Sequence, residues 1–318
     1  MIVKPGILFK NCYGKYGIAA VNIWCMEQLL ALFSAAEKAG APFIVQTTPA
    51  ARNYAHPAML LPMIHAGHKI YPDVICAIHL DHGNESHIDS ALRSGGYTSV
   101  MIDASHDPFD KNISRTRAVV KQAHASGVEV EAELGVLSGT EDDILSKKSK
   151  YTRPEEVEEF VKSTGCDSLA IAVGTSHGAY KFSGGVGIQF DILESIGKRL
   201  PGFPLVLHGG SGVDSMEVTR INQAGGRLES GAQGVLPDQL KKAVQLGICK
   251  VNIATDARLI WTRVHREFFR HSPEQIDPIV PGKQFMEEFE KFLLEKFEWL
   301  GATGRKPSIE LPSKSENK

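Results

Sequence analysis

The stretch Val74-Ile75-Cys76-Ala77-Ile78-His79-Leu80-Asp81-His82-Gly83 is the point from which the rest of the chain can be read. Its first five residues are apolar and rich in β-branching, the pattern of a buried strand. A carboxylate, two imidazoles and a glycine then arrive together where that strand must end. An ionised Asp is costly to bury without a partner or a metal, so stability alone does not produce such an ending. One such motif is weak. Two later strands finish on histidine in the same fashion, at His177 and His208, and that gives it weight.

Working outward, short apolar runs alternate with amphipathic segments along the chain. Strands are predicted over 17–23, 42–47, 74–80, 98–102, 128–134, 168–173, 204–207 and 249–253. Helices are predicted over 26–39, 56–68, 86–94, 111–125, 154–163, 190–198, 215–223 and 237–246, with two more over 256–269 and 283–300. Gly40 and Gly95-Gly96 stop two of them, and Pro154 opens another at a favoured first position. Eight strand-then-helix units predict an α/β fold, a closed parallel (β/α)8 TIM barrel with additional C-terminal helices. A doubly wound open sheet would carry GxGxxG after its first strand, and none follows. Residues 1–304 read as a single barrel domain and 305–318, polar with two prolines, as a mobile tail. The charged run 139–150 reads as a loop at the functional end of the barrel.

Composition narrows the function. With 318 residues, 42% of them hydrophobic, the chain can bury a large core. A formal charge of −2 provides no polybasic footprint, so nucleic acid is not an expected partner. The cysteines (Cys12, Cys25, Cys76, Cys166, Cys249) form no CxxC, and two lie inside predicted strands as small apolar fillers, which suits a reducing compartment. No run of 18 apolar residues and no signal-peptide core is present, so the expectation is a cytoplasmic protein without a membrane span.

Polar residues fall at the strand ends. Asn22 closes strand one, Thr47 and Thr48 strand two, Asp81 and His82 strand three, and Asp103 strand four. Glu133 ends strand five, His177 follows strand six, His208 ends strand seven and Asn252 strand eight. In a barrel these ends converge on the face that carries active sites. A single strand-end histidine is commonly a capped, hydrogen-bonded one. Three of them with three acids on one face suit a catalytic zinc with an open position, held by His82, His177 and His208. His79, one step inside, reads as packed or supporting. Asp81 is left for proton transfer, and Asp103 and Glu133 either orient the histidines or offer an alternative metal position. His208-Gly209-Gly210-Ser211-Gly212 and Asn252-Ile253-Ala254-Thr255-Asp256, leading into a helix, form the place where barrels hold phosphate. Residues 174–178 (GTSHG) add carbonyls for a monovalent cation, Na+ or K+.

These pieces resemble the class II, metal-dependent ketose-bisphosphate aldolases over roughly residues 8 to 300. The matching segments are LDHG (80–83), SVMIDASH (99–106), VEAELG (130–135), GTSHGAYKF (174–182), LHGGSG (207–212) and KVNIATD (250–256), in family order. The resemblance implies zinc on His82, His177 and His208, with Asp81 protonating the aldehyde-side oxygen. It implies that Asn22 helps hold the enediolate, that Glu133 lies near the metal, and that Glu141 exchanges the C3 proton of dihydroxyacetone phosphate. Lys181, Gly209, Ser211, Asn252 and Thr255 match phosphate contacts, with Thr48 in the substrate-facing set. Arg258 resembles an arginine that reaches the far phosphate from a neighbouring subunit, implying a homodimer or homotetramer.

The chemistry needs an electron sink for the carbanion left by carbon–carbon cleavage, supplied by zinc or by a lysine Schiff base. No lysine stands clearly at an inward strand end, so the reading favours metal. Trp24-Cys25 replaces the Asn-Asn of many short-chain members. Fructose-bisphosphate enzymes often carry Asp (others Asn) where Ala254 stands, and tagatose-bisphosphate enzymes resemble this chain in having Ala, whereas GGRLESGAQGV (225–235) is similar to fructose-bisphosphate members. Fructose 1,6-bisphosphate is therefore favoured over tagatose 1,6-bisphosphate or a related phosphoketose. A zinc hydrolase on the same histidines and a non-catalytic phosphosugar-binding barrel are the competing classes.

Overall fold

The computed structural model describes the chain except for residues 142–143, 147–149, 178–186, 230–233 and 310–318, and describes 138–141, 144–146, 177 and 307 through their backbone alone. The chain opens with helix α1 (Pro5–Cys12), then β1 (Ile18–Asn22), α2 (Met26–Ala39), β2 (Phe43–Thr47), α3 (Pro49–Ala55), α4 (Pro57–Ile70), β3 (Cys76–Gly83) and α5 (Glu85–Ser94). It continues through β4 (Ser99–Ile102), α6 (Phe109–Ala125), β5 (Glu129–Leu134), β6 (Ser138–Glu141), β7 (Ile144–Ser146), α7 (Val157–Thr164), β8 (Ser168–Ile171), β9 (Ser176–His177) and α8 (Phe190–Arg199). Last come β10 (Leu205–Leu207), α9 (Ser215–Gln223), α10 (Pro237–Gln245), β11 (Ile248–Ile253), α11 (Thr255–His271) and α12 (Ile279–Trp299). The strands β1-β11-β10-β8-β5-β4-β3-β2 close into one parallel barrel, the architecture expected from the strand-helix alternation.

Several features go beyond the sequence reading. Helix α1, with Pro5 at its first position, places Phe9 beneath the barrel and donates the Gly6 N–H to Glu129 at 2.6 Å. Helix α3 starts at the end of β2 because Thr48 caps it, accepting the Ala51 N–H at 3.2 Å ahead of Pro49. The run 139–150, expected to be a loop, contains β6 and β7 paired antiparallel, and β6 also pairs with β9. Strand six is also shorter than expected and ends at Ile171. Of the tail expected to be mobile, Lys306–Ser308 form a short 3-10 turn, with the Lys306 N–H on the Gly40 carbonyl at 2.8 Å.

Two cores result. Outside the barrel wall, Ile78, Leu80, Val100, Ile102, Val130 and Ala132 are buried in the main apolar cluster with the helices. Inside it, Met101, Ala170 and Val206 make a small separate cluster, and much of the remaining interior is polar. Helix α12 covers α2 with Phe285, Phe289, Leu293 and Phe297, spaced four apart on one stripe and fully buried. Phe285 and Phe289 stack at 5.6 Å. Truncation of Phe289 to Ala should cost about 3–5 kcal/mol. Urea unfolding checks this, and a loss below about 1 kcal/mol would mean that the stripe does not anchor α12.

Candidate active site

β3 delivers the reactive side chains. By the two-residue alternation of a strand, His79 and Asp81 face the interior and His82 should face the helices. It does not, because three steps of β3, from Leu80 to Gly83, run beside two of β4, from Val100 to Ile102. The extra residue is a bulge, and His82 takes φ 47° there, a conformation rare for a side-chain-bearing residue. Adjacent residues Asp81 and His82 thereby reach one cluster with His208, their ligand atoms all within 4.8 Å of one another.

Two carboxylates set the protons on the two rings. His82 Nδ1 faces Asp103 Oδ2 at 3.1 Å, and His208 Nε2 faces Glu131 Oε1 at 2.8 Å. A ring nitrogen against a carboxylate carries the hydrogen, which leaves lone pairs on His82 Nε2 and His208 Nδ1. Those two atoms stand 2.8 Å apart. Two lone pairs aimed at one point repel unless a cation lies between them, so the donor set fits a metal ion. Burial works against charge on Asp103, but the His82 N–H and Ser105 outweigh it and hold the carboxyl below its usual range. Burial pushes the His208 imidazole down, toward the neutral form that a ligand needs.

Glu133 joins His82 and Asp103 in a second group of the same kind. The side chain of His177 lies outside the described residues, but its backbone ends β9. The Ser176 carbonyl approaches within 2.5 Å of where a Cβ on Gly209 would stand, which sets the two histidine segments side by side.

Asp81 is fully buried and held by three amides. Asn22 Nδ2 donates to Oδ2 at 3.0 Å, Gln46 Nε2 to the same oxygen at 3.3 Å, and Asn252 Nδ2 to Oδ1 at 3.1 Å. Gln46 also donates to Asn22 Oδ1. Both carboxyl oxygens are thus oriented by neutral donors. Asn252, expected at a phosphate, spends one amide hydrogen on Asp81. His79 is packed, as expected, with Nδ1 2.7 Å from Ser99 Oγ.

The loop after β10 approaches the start of α11 closely. A Cβ on Gly210 would meet Val251 Cγ1 at 2.4 Å, so only glycine fits there. Ser211 Oγ accepts the N–H groups of Ala254 and Thr255 at 3.3 and 3.2 Å, so its hydroxyl already caps α11. Asp256 accepts the N–H groups of Gly212 and Val213 at 2.9 and 2.8 Å and fastens the loop from the other side. Arg258, expected to serve a neighbouring subunit, lines a cleft of about 440 Å³ in its own chain with Asn22, Trp24, Thr48, Tyr54 and Trp261. Lys181 and the side chain of Glu141 lie outside the described residues, as does Gly178 of the expected cation loop. In that loop the Thr175 and Ser176 hydroxyls are buried without a hydrogen-bond partner among the described residues.

Sequence reasoning missed Gln46, Glu131 and Lys250. Each stands two residues before a strand-end residue it did find (Thr48, Glu133 and Asn252), so alternation carried the signal. Lys250 does face inward, but from the middle of β11 and not from the strand end where a nucleophile would stand. Its ammonium lies 2.8 Å from Glu131 Oε2, both groups being buried.

The chain is similar to known proteins along nearly its whole length. Residues 6–305 match the family model described as fructose-bisphosphate aldolase class-II. The chain is 41% identical to a fructose-bisphosphate aldolase of Treponema pallidum, over 96% of this chain and 97% of that one. It is 41% identical to a fructose-bisphosphate aldolase of Thermus caldophilus, over 91% and 94% of the two chains. Among solved structures it is similar to the YdjI aldolase of Escherichia coli K12, with TM-score 0.76, 26% identity, and coverage of 96% of this chain and 100% of that one. A match that runs through every barrel strand, at this identity and on this fold, places the chain in the class II fructose-bisphosphate aldolase family, whose members are lyases.

Proposed function

We propose that the protein reversibly cleaves fructose 1,6-bisphosphate to dihydroxyacetone phosphate and glyceraldehyde 3-phosphate, with zinc on His82, His177 and His208. The observation that carries this reading is the 2.8 Å approach of two imidazole lone pairs beside a buried, amide-held carboxylate. Zinc, when bound, supplies the electron sink for the carbanion by polarising the ketose carbonyl. A lysine Schiff base is the other sink, but Lys250 is engaged by Glu131 and borders a cavity of only about 10 Å³.

The chain's own residues handle protons and phosphates. In cleavage the Asp81 carboxylate takes the proton of the C4 hydroxyl, and in condensation it returns that proton to the aldehyde oxygen. Asn22, Gln46 and Asn252 hold it in position for both. Asn22 also lines the cleft with Thr48, so the aldehyde half lies there, its phosphate toward Thr48 and toward the Arg258 of a neighbouring subunit. The other phosphate takes the loop of Gly209 and Ser211 with Asn252, Thr255 and Lys181. Glu141 exchanges the C3 proton, and Glu133 with Asp103 offers a further metal position beside His82. The Thr175 and Ser176 hydroxyls, without a hydrogen-bond partner among the described residues, support a monovalent cation, Na+ or K+, at residues 174–178. A homodimer or homotetramer belongs to the same reading, and a monomer by light scattering of the active protein would remove it.

A second reading, tagatose 1,6-bisphosphate, rests on Ala254 at the junction of β11 and α11, where a methyl group stands in place of the carboxylate that fructose-bisphosphate enzymes often carry.

Exhaustive chelation should abolish formation of dihydroxyacetone phosphate, and zinc should restore it. Asp81→Ala should keep its zinc while kcat falls at least about a hundredfold. Full turnover after chelation defeats the metal reading, and release of inorganic phosphate instead marks a hydrolase. For the sugar, kcat/KM on the two bisphosphates should favour fructose, and Ala254→Asp should widen that preference; a wild-type preference for the tagatose epimer reverses the assignment.

A further inference from the structure

The proposed chemistry leaves one buried ionic group without a task. Glu131 sits in the middle of β5, 2% exposed, with Oε1 2.8 Å from His208 Nε2. Its other oxygen, Oε2, lies 2.8 Å from Lys250 Nζ, a contact off the hydrogen-bond axis, and 3.6 Å from His79 Nε2. Lys250 is 1% exposed. The cavity these residues share with Ser99 and Ser168 is about 10 Å³, hardly room for one water and none for a sugar. A direct role on substrate is therefore closed to Lys250 and to Glu131.

Their geometry has another consequence. His208 can ligate through Nδ1 only while Nε2 keeps its hydrogen, and the group opposite Nε2 is Glu131. A lone carboxylate in so dry a place is strongly unfavourable unless a cation neutralises it. Lys250 is the cation in contact with it. His79 does not substitute, because 3.6 Å is beyond hydrogen-bond reach and its own Nδ1 is held by Ser99.

We propose that Lys250 and Glu131 are positioning residues that act in series, Lys250 holding Glu131 and Glu131 holding the His208 ring in the tautomer that turns Nδ1 to the metal. Without the ammonium, the carboxylate turns away or draws in water, and the ring loses its fixed partner. This rests on the metal reading above.

The test is zinc affinity, measured on the full-length protein by competition with a colorimetric chelator. Glu131→Gln and Lys250→Met should each weaken zinc about ten- to a hundredfold. The double variant should match Glu131→Gln alone, because two steps in series do not add. Lys250→Arg, which keeps the charge although its larger head strains so small a cavity, should lose less zinc affinity than Lys250→Met. A purely structural role would lower Tm and leave zinc affinity unmoved, and that result overturns the proposal, as does a double variant whose loss is the sum of the two. Should Lys250→Met not fold, the charge-free double variant and Lys250→Arg still decide it. Wild-type protein that binds no zinc would instead defeat the metal reading itself.

Discussion

Between Leu80 and Gly83 the third barrel strand carries one residue more than its neighbour, and the reaction centre hangs on that surplus. A regular strand sends consecutive side chains to opposite faces, so a carboxylate and an imidazole side by side in sequence would part company. The bulge cancels one reversal. It requires His82 at φ 47°, which costs on the order of 1–2 kcal/mol for a residue with a Cβ. The contact of its Nδ1 with Asp103 holds the ring in that position. A carboxylate and an imidazole nitrogen from one strand then reach the same cluster with His208.

Below the mouth, β5 stacks three carboxylates in the barrel by the same alternation, and each meets a different partner. Glu129 at the bottom accepts the N–H of Gly6 from α1. Burial pushes its carboxyl up, with Asp167 adding to the effect. Glu131 in the middle meets Lys250. Burial there is complete and would raise it further, yet the ammonium and the His208 N–H reverse the direction and hold it well below the usual range. Glu133 at the top joins His82 and Asp103 in a group that could hold a metal ion. One residue type on one face of one strand thus serves as a plug contact, a positioning group and a candidate ligand, according to what the facing strands supply.

The loop after β10 is held from two sides. Ser211 binds the first N–H groups of α11, and Asp256 on that helix binds back to Gly212 and Val213. Lys296 of the C-terminal helix, buried and 3.6 Å from Asp256, closes the arrangement. Helix α12 therefore does more than cover α2. Its aromatic stripe fixes the helix, and its buried lysine supports the acid that fastens the loop.

Periodicity and strand-end chemistry made the barrel, its eight strands and the acids and imidazoles at Asp81, His82, Asp103, Glu133 and His208 legible in the chain alone. Both are local properties: a run of apolar residues and the polar residue that ends it lie within a few positions of one another. Contacts across the barrel were not legible. That Asp81 is held by amides from β1, β2 and β11, that Lys250 answers Glu131, and that Arg258 lines its own cleft depend on strand register and on one bulge. Register follows from closing the sheet, and a single inserted residue changes which face a side chain takes. Amino-acid order thus determined which groups stand at the barrel mouth, and only the closed barrel decided which of them meet, because those partners are brought together by packing between distant strands and not by spacing along one.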